Sequence, residues 1–295
     1  MATNSLVSVI IPCYNAEKYI AETLQSVLQQ TYPTLEVIVV DDGSKDTSAA
    51  IVAAVSAREP RVRLHAKPNS GVADSRNVGI GLAQGEYIAF LDADDLFEPD
   101  NLARKVDYLA QHQAIGLVHS AETRFRSETG QTVEVIQGRG GQVLPLLLGM
   151  STTVIHSPSS VVVRRQVLDQ AGHFDTKLST SADWELWVRL ARETEFGYLP
   201  QTLVRYRIHG QQMHNNIPLM ERDMVYAFDK LHRQGSYFVS ESYYQQCLAN
   251  LYLILAACYR GDMHDNKRFL YFLAKSVVTD IKPLWWRLWR RNKLA

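Results

Sequence analysis

The sequence predicts an α/β fold built on a mostly parallel, doubly wound sheet with a C-terminal helical appendage, and three observations carry that prediction. Short β-branched apolar runs alternate with amphipathic helical stretches over about the first hundred residues. Those runs are near-continuously apolar, as strands buried on both faces must be. From Met220 onward helical spacing returns without strand-like alternation.

The elements follow in order. Val7 to Ile11, closed by Pro12, reads as a buried strand. From Asn15, an N-cap type, the pairs Tyr19/Ile20, Thr23/Leu24 and Val27/Leu28 describe one helical face as far as Gln30. Glu36 to Val40 is a second strand, stopped by Asp41-Asp42-Gly43-Ser44, and a helix runs from Thr47 to about Arg58. A short strand at Val62 to Ala66, a helix from about Val72 to Ala83 and a strand at Tyr87 to Leu91 continue the alternation, so a parallel sheet with right-handed crossovers follows. Past Asp100 the pattern is mixed α+β: a helix near Asn101 to His112, a strand near Gly116 to His119 and Gly-rich turns around Gly138 to Gly141.

Composition narrows the function classes. The 295 residues exceed a usual domain of roughly 100–200, so one large domain plus an appendage fits. Lys plus Arg and Asp plus Glu both number 31, and nothing global argues for nucleic acid as a partner. Cys13, Cys247 and Cys258 have no metal-ligand or CxxC spacing, which suits structural thiols in a reducing compartment. No run reaches the roughly 20 apolar residues that span a bilayer, so the expectation is a cytoplasmic protein without a transmembrane helix.

In such sheets ligands bind beyond the carboxyl ends of the strands, and here those ends are acidic: Asp41-Asp42 after the second strand, Asp92-Ala93-Asp94-Asp95 after the strand at Tyr87 to Leu91. Gathered carboxylates repel unless a cation, a donor-rich ligand or water compensates. A hard divalent ion, Mg²⁺ or Mn²⁺, shared with substrate phosphates meets that need. A dinucleotide fold is excluded, because Pro12-Cys13-Tyr14-Asn15 holds no glycine where GxGxxG would stand, and no P-loop GxxxxGK[ST] occurs.

At this point the residues resemble a known family. Val7-Ser8-Val9-Ile10-Ile11-Pro12-Cys13-Tyr14-Asn15, Val39-Val40-Asp41-Asp42-Gly43-Ser44, Ser75-Arg76-Asn77-Val78-Gly79, Gly85 to Asp95 and Ala182-Asp183-Trp184-Glu185-Leu186-Trp187 are similar, in order and spacing, to the inverting GT-A-fold glycosyltransferases of family two. The resemblance covers about residues 6 to 210 and implies a nucleotide-diphospho-sugar donor. It implies that Asp42 accepts a hydrogen bond from the base, that Pro12 and Tyr14 line the nucleoside pocket, that Asp92 approaches the ribose or donor sugar and that Asp94 coordinates the metal. Arg76 is a further candidate for phosphate, with an ion pair buttressing the acidic edge as the alternative, and Asn69 joins it on the nucleotide side. His209 resembles a position that contacts metal or diphosphate, against the bland reading of a structural histidine. Arg205 and Arg207 alternate with Tyr206 and Ile208 as on a strand, which puts both on one face where they can meet phosphate.

Asp183 is the expected general base, because inverting transfer needs a carboxylate to take the acceptor hydroxyl's proton. The alternative is an Asp that merely caps the helix carrying Trp184, Trp187 and Val188. Many relatives carry Glu where this chain has Ala182, which encourages a rival class, a non-catalytic nucleotide-sugar or glycan-binding module. A sugar-phosphate nucleotidyltransferase is disfavoured, since no Gly-rich basic loop follows the first strand.

The expected organisation is a transferase domain over residues 1–215, with a nucleotide-binding half at 1–100 and an acceptor half at 101–215, and a helical region at 216–295. That region ends with Trp285, Trp286 and Trp289 among Arg287, Arg290, Arg291 and Lys293. An amphipathic, basic, Trp-rich end suits peripheral contact with an anionic membrane at its inner face. Docking of the tryptophans on the body or on a second subunit, giving a homodimer, is the alternative. The acceptor expected is a glycan or a lipid-linked saccharide, the former in cell-surface or exopolysaccharide synthesis.

Overall fold

In the computed structural model, which describes residues 5–210 and 216–282, the chain runs β1 (Val7–Cys13), α1 (Ile20–Leu28), β2 (Leu35–Asp41), α2 (Ser48–Ser56), β3 (Val62–Ala66), α3 (Val72–Leu82), β4 (Tyr87–Phe90), β5 (Leu96–Phe97), α4 (Asn101–Gln111) and β6 (Ile115–Arg126). It continues through β7 (Thr132–Ile136), α5 (Leu144–Gly149), β8 (Val161–Arg164), α6 (Arg165–Ala171), α7 (Ala182–Glu193), β9 (Glu195–Ile208), α8 (Ile217–Arg233), α9 (Glu241–Gly261) and α10 (Asn266–Thr279).

The strands lie in the order β3-β2-β1-β4-β8-β6-β9-β5, with β7 paired to β6. The first four are parallel, as continuous apolar runs joined by helices require. Beyond them the sheet is mixed: β8 is antiparallel to both β4 and β6, β6 and β9 are parallel, and β5 is antiparallel to β9. Chain order reverses at β1, which has β2 on one side and β4 on the other, so the carboxyl ends of these three strands flank the crevice where such sheets bind ligands. Gly79 lets α3 press onto β1: a Cβ there would sit 2.4 Å from Ile10 Cγ2.

Two expectations change. The first helix begins at Ile20 rather than at Asn15, because Asn15 takes a positive φ of 50° and spends its side chain on the Lys45 N–H at 2.8 Å. The strand expected near Gly116 to His119 extends to Arg126, paired along most of its length with the 14-residue β9.

The chain divides into two compact units. Of the described residues, 5–143, 153–176 and 182–210 form one and hold the sheet; 144–152, 177–181 and 216–282 form the other. Within the helical unit, buried Asp223 on α8 accepts the Ser179 and Thr180 N–H groups at 2.7 and 2.8 Å, and Asn250 on α9 donates to the Gly149 carbonyl. The Tyr259 and Phe272 rings stack at 5.8 Å between α9 and α10. Among the described residues no helix is long and apolar enough to cross a membrane. The Trp- and Arg-rich end from Trp285 to Lys293 lies outside the described residues. Cys13, Cys247 and Cys258 are free, and burial pushes the Cys13 thiol up to about 12, as suits an inert core group.

Candidate active site

The rim is made by strand ends. Cys13 of β1 is in register with Asp41 of β2, and on the other flank the Leu91 N–H donates to the Ile10 carbonyl at 3.0 Å, which brings Asp92 to the same edge. Pro12 is buried in β1 and Tyr14 is 52% exposed just beyond it.

The two aspartates after β2 have different jobs. Both Asp42 oxygens are engaged: one accepts the Ser70 N–H at 2.9 Å and the Lys67 ammonium, the other accepts the Gly71 N–H at 2.9 Å. Asn69 donates to the Asp42 carbonyl at 2.9 Å. Burial works to raise the Asp42 carboxyl, but the donors from Lys67, Ser70 and Gly71 outweigh it and hold the group below its ordinary value. Gly43, at φ +72°, lets this loop pass close, since a Cβ there would lie 3.0 Å from the Asn69 nitrogen. Asp41 instead keeps one buried oxygen without a hydrogen-bond partner, the other accepting the Ser44 N–H at 3.2 Å. Asp41 thus keeps one acceptor that is buried but unpartnered, while Asp42, the residue that the resemblance assigns to the base, has both oxygens engaged by its own loop.

The Asp92–Asp95 turn is stitched to the end of β9. Arg207 donates its N–H to Asp95 at 3.0 Å, its Nε to the Asp94 carbonyl at 2.7 Å and its Nη2 to Glu22 at 2.6 Å. Ser159 donates to the other Asp95 oxygen at 2.6 Å and accepts the Asp92 N–H at 3.1 Å. Burial, then the neighbouring Asp94 and Asp92 charges, push the Asp95 carboxyl well up. Arg205 and Arg207 do share a face, both lying over the Phe125 ring at 4.4 and 4.7 Å, but Arg207 is buried and committed to the turn rather than presented to phosphate.

Asp94 faces outward from that turn. Its carboxylate meets His209 Nε2 at 2.7 Å, and the His209 ring stacks on Tyr19 at 4.9 Å. Among the described residues no three His, Cys, Asp or Glu side chains converge to hold a metal. Mg²⁺ and Mn²⁺ ordinarily take one or two carboxylates and complete their shell with water and substrate phosphates, so one carboxylate and one imidazole on the rim fit an ion held jointly with a diphosphate.

Asp183 opens α7. Its Oδ1 accepts the Trp184 N–H at 2.8 Å, and burial raises its carboxyl above the ordinary value against the lowering pull of Arg76, with the Asp92 charge adding to the rise. Arg76 is buried in α3 and donates to Asp92 at 2.6 Å, while its Nε has no hydrogen-bond partner. Its guanidinium lies 5.4 Å from the centre of the Phe174 ring. Asn77 grips the Phe174 backbone through both its N–H and its carbonyl at 2.9 Å. On α7, Glu185 holds Arg189, which donates to the Gly172 and His173 carbonyls at 2.8 and 2.6 Å. The Ser75–Gly79 and Ala182–Trp187 stretches are thus fastened through the same 171–174 turn, and Arg76, Asp92 and Asp183 interact electrostatically as one group.

Sequence reasoning missed the polar groups buried behind this rim. Lys105 of α4 and Glu122 of β6 are both inaccessible, and burial pushes Lys105 down to about 7 and Glu122 up to about 7. Glu122 accepts from Ser157 at 2.7 Å and lies 3.4 Å from His156 Nε2. The available signal was positional: Lys105 falls on the same helical face as Leu102, Val106 and Leu109.

Comparison with known proteins agrees with this fold. The sequence profile described as glycosyl transferase family 2 matches residues 8–172. An uncharacterized glycosyltransferase of Haemophilus influenzae is 31% identical over 217 residues, covering 70% of this chain and 67% of that protein. One of Rickettsia conorii is 31% identical over 215 residues, 71% of this chain, but the match spans only 35% of its length. Among solved structures, S. aureus TarS in complex with UDP-GlcNAc superposes with a TM-score of 0.67 at 20% identity, over 92% of this chain and 81% of that one. A mannosyltransferase of Pyrobaculum calidifontis in complex with GDP-Man and Mn²⁺ gives 0.60 at 22%, over 95% and 87%. Motifs, GT-A fold and profile agree: this chain belongs to glycosyl transferase family 2.

Proposed function

We propose that the chain is an inverting transferase that moves a sugar from a nucleotide-diphospho-sugar to an acceptor hydroxyl, in the synthesis of a cell-surface or exopolysaccharide glycan, with a glycan or lipid-linked saccharide as acceptor. Residues 1–215 carry the transferase, 1–100 holding the donor and 101–215 the acceptor, and 216–295 form an accessory region. The observation that carries this reading is the Arg76–Asp92–Asp183 group, a carboxylate of raised basicity beside a buried guanidinium on the acidic rim.

Each residue has a task in it. Asp42 or its neighbour Asp41, which keeps a buried oxygen without a partner, accepts from the N–H edge of the base, Asp42 with Asn69 fixes the 67–71 loop beside it, and Pro12 and Tyr14 flank the nucleoside. Asp92, held by Arg76, accepts from the donor's hydroxyls, and the Arg76 guanidinium supplies positive charge toward the diphosphate. Asp94 and His209 hold Mg²⁺ or Mn²⁺, which when bound supplies Lewis-acid stabilisation of the leaving diphosphate. Asp183 takes the proton of the acceptor hydroxyl as that oxygen bonds to the anomeric carbon; the carbon–phosphate-oxygen bond breaks on the opposite face and the nucleoside diphosphate leaves with the electron pair.

Purified protein incubated with Mn²⁺ and a panel of nucleotide sugars tests this. Release of nucleoside diphosphate that D183N abolishes supports it. Donor binding with no turnover by the wild type, with or without saccharide acceptors, turns the reading to the binding-module alternative.

A further inference from the structure

Helix α10 is apolar on two faces. One face buries Phe272 against α9, its ring 5.9 Å from Tyr252 and 5.8 Å from Tyr259. The other presents Leu270, Ala274, Val277 and Val278 to solvent in a single stripe at the spacing of successive helical turns, with Leu270 60% and Val278 86% exposed. Tyr271 borders the stripe with the Lys275 ammonium 5.0 Å from its ring, and Ile281 stands exposed just past the helix end. A helix that needed only to pack on α9 would carry polar residues on its outer face.

Charge identifies what covers this face. From Asn266 to Ala295 the chain has eight Lys and Arg residues and one acid, Asp280, in a protein whose total charge is zero. Lys267, Lys275 and Lys282 lie along the stripe or its flanks, while Arg268 is paired with Glu221 at 3.2 Å, and the sequence that follows interleaves Trp285, Trp286 and Trp289 with Arg287, Arg290, Arg291 and Lys293. A second copy would set this positive stripe against its like, which costs energy. An apolar stripe between long cations, followed by tryptophans, matches the acyl boundary and anionic headgroups of a bilayer surface.

We infer that the outer face of α10, with Lys267, Lys275 and Lys282 at its edges, docks the protein on an anionic lipid bilayer. The apolar stripe enters the headgroup boundary and the flanking cations pair with lipid phosphates. The inference deepens the expectation of a basic, Trp-rich membrane end by adding an ordered helical face to it, and it stands apart from the transferase reading because its test uses no donor or acceptor.

The test is co-sedimentation of the full chain with vesicles of phosphatidylcholine alone and of phosphatidylcholine carrying about a third phosphatidylglycerol. The expected result is binding to the anionic vesicles only, weakened at about 0.5 M salt, and reduced about tenfold in L270D/V278D. Both residues are exposed, so the variant keeps the wild-type melting temperature, which is checked alongside. Absence of binding to anionic vesicles overturns the inference. So does binding that L270D/V278D leaves unchanged, which would assign it to the terminal sequence alone, and so does a concentration-dependent dimer that the variant dissolves.

Discussion

His209 Nε2 lies 2.7 Å from the Asp94 carboxylate while the His209 ring is stacked on Tyr19, so two donors from distant parts of the chain are aligned at the rim by packing. On the proposed reading this pair seats the ion, and H209A should weaken Mn²⁺ binding by about tenfold or more while the fold survives. Titration of Mn²⁺ in the presence of a nucleoside diphosphate measures it; equal affinity in H209A would leave the histidine a structural role.

Asp183 sets the expected pH dependence. Its carboxyl is raised by burial and by Asp92, so the acid limb of kcat/KM should lie above the value of about 3.9 of an ordinary aspartate, with activity rising as the base loses its proton. R76M removes the positive charge that pulls the group down and holds Asp92, so the limb should move to higher pH as donor affinity falls. A limb that R76M leaves in place separates Arg76 from the base.

Asp41 and Asp42 should separate binding from stability. D42A strands the Ser70 and Gly71 N–H groups and Lys67, and should cost about 2 kcal/mol in urea denaturation. D41N should leave stability near wild type and weaken nucleotide binding about tenfold, because the unpartnered acceptor is halved. The reverse pattern would return the base-contact role to Asp42.

His119 gives an acid-linked prediction independent of catalysis. The ring is buried with Nε2 2.9 Å from the Arg139 carbonyl, and burial pushes it down to about 4. The folded state therefore resists a proton that the unfolded chain accepts at about 6.5, so His119's contribution is complete above that pH and is lost as pH falls toward 4. The full loss is on the order of 3 kcal/mol. H119Q keeps a donor for the carbonyl and should flatten the difference in stability between pH 7 and pH 4.5; an unchanged difference would place the acid sensitivity elsewhere.

Much of this was legible in the sequence for identifiable reasons. Val37–Val40 could only be a doubly buried strand, and the acids that follow such strands had to lie at the carboxyl edge. Which of two adjacent aspartates keeps an unpartnered oxygen was not legible, because it depends on the 67–71 loop folding back onto Asp42. The late start of α1 depends in the same way on Asn15 meeting Ser44 and Lys45 about 30 residues away. The helical unit draws in residues 144–152 and 177–181, a grouping that exists only through tertiary contacts such as Asp223 with Ser179. Lys105, a cation on its helix's apolar face, is the one sequence mark of the buried Glu122 neighbourhood, and the sequence does not show its partner.

The most direct test of the acidic rim as a metal-dependent donor site is calorimetric titration of UDP and GDP into the protein with Mn²⁺, with EDTA, and in D94N with Mn²⁺. Binding of one nucleotide that requires the metal and falls at least about tenfold in D94N is the expected result. Equal affinity in all three conditions, or no binding of either nucleotide, would contradict it.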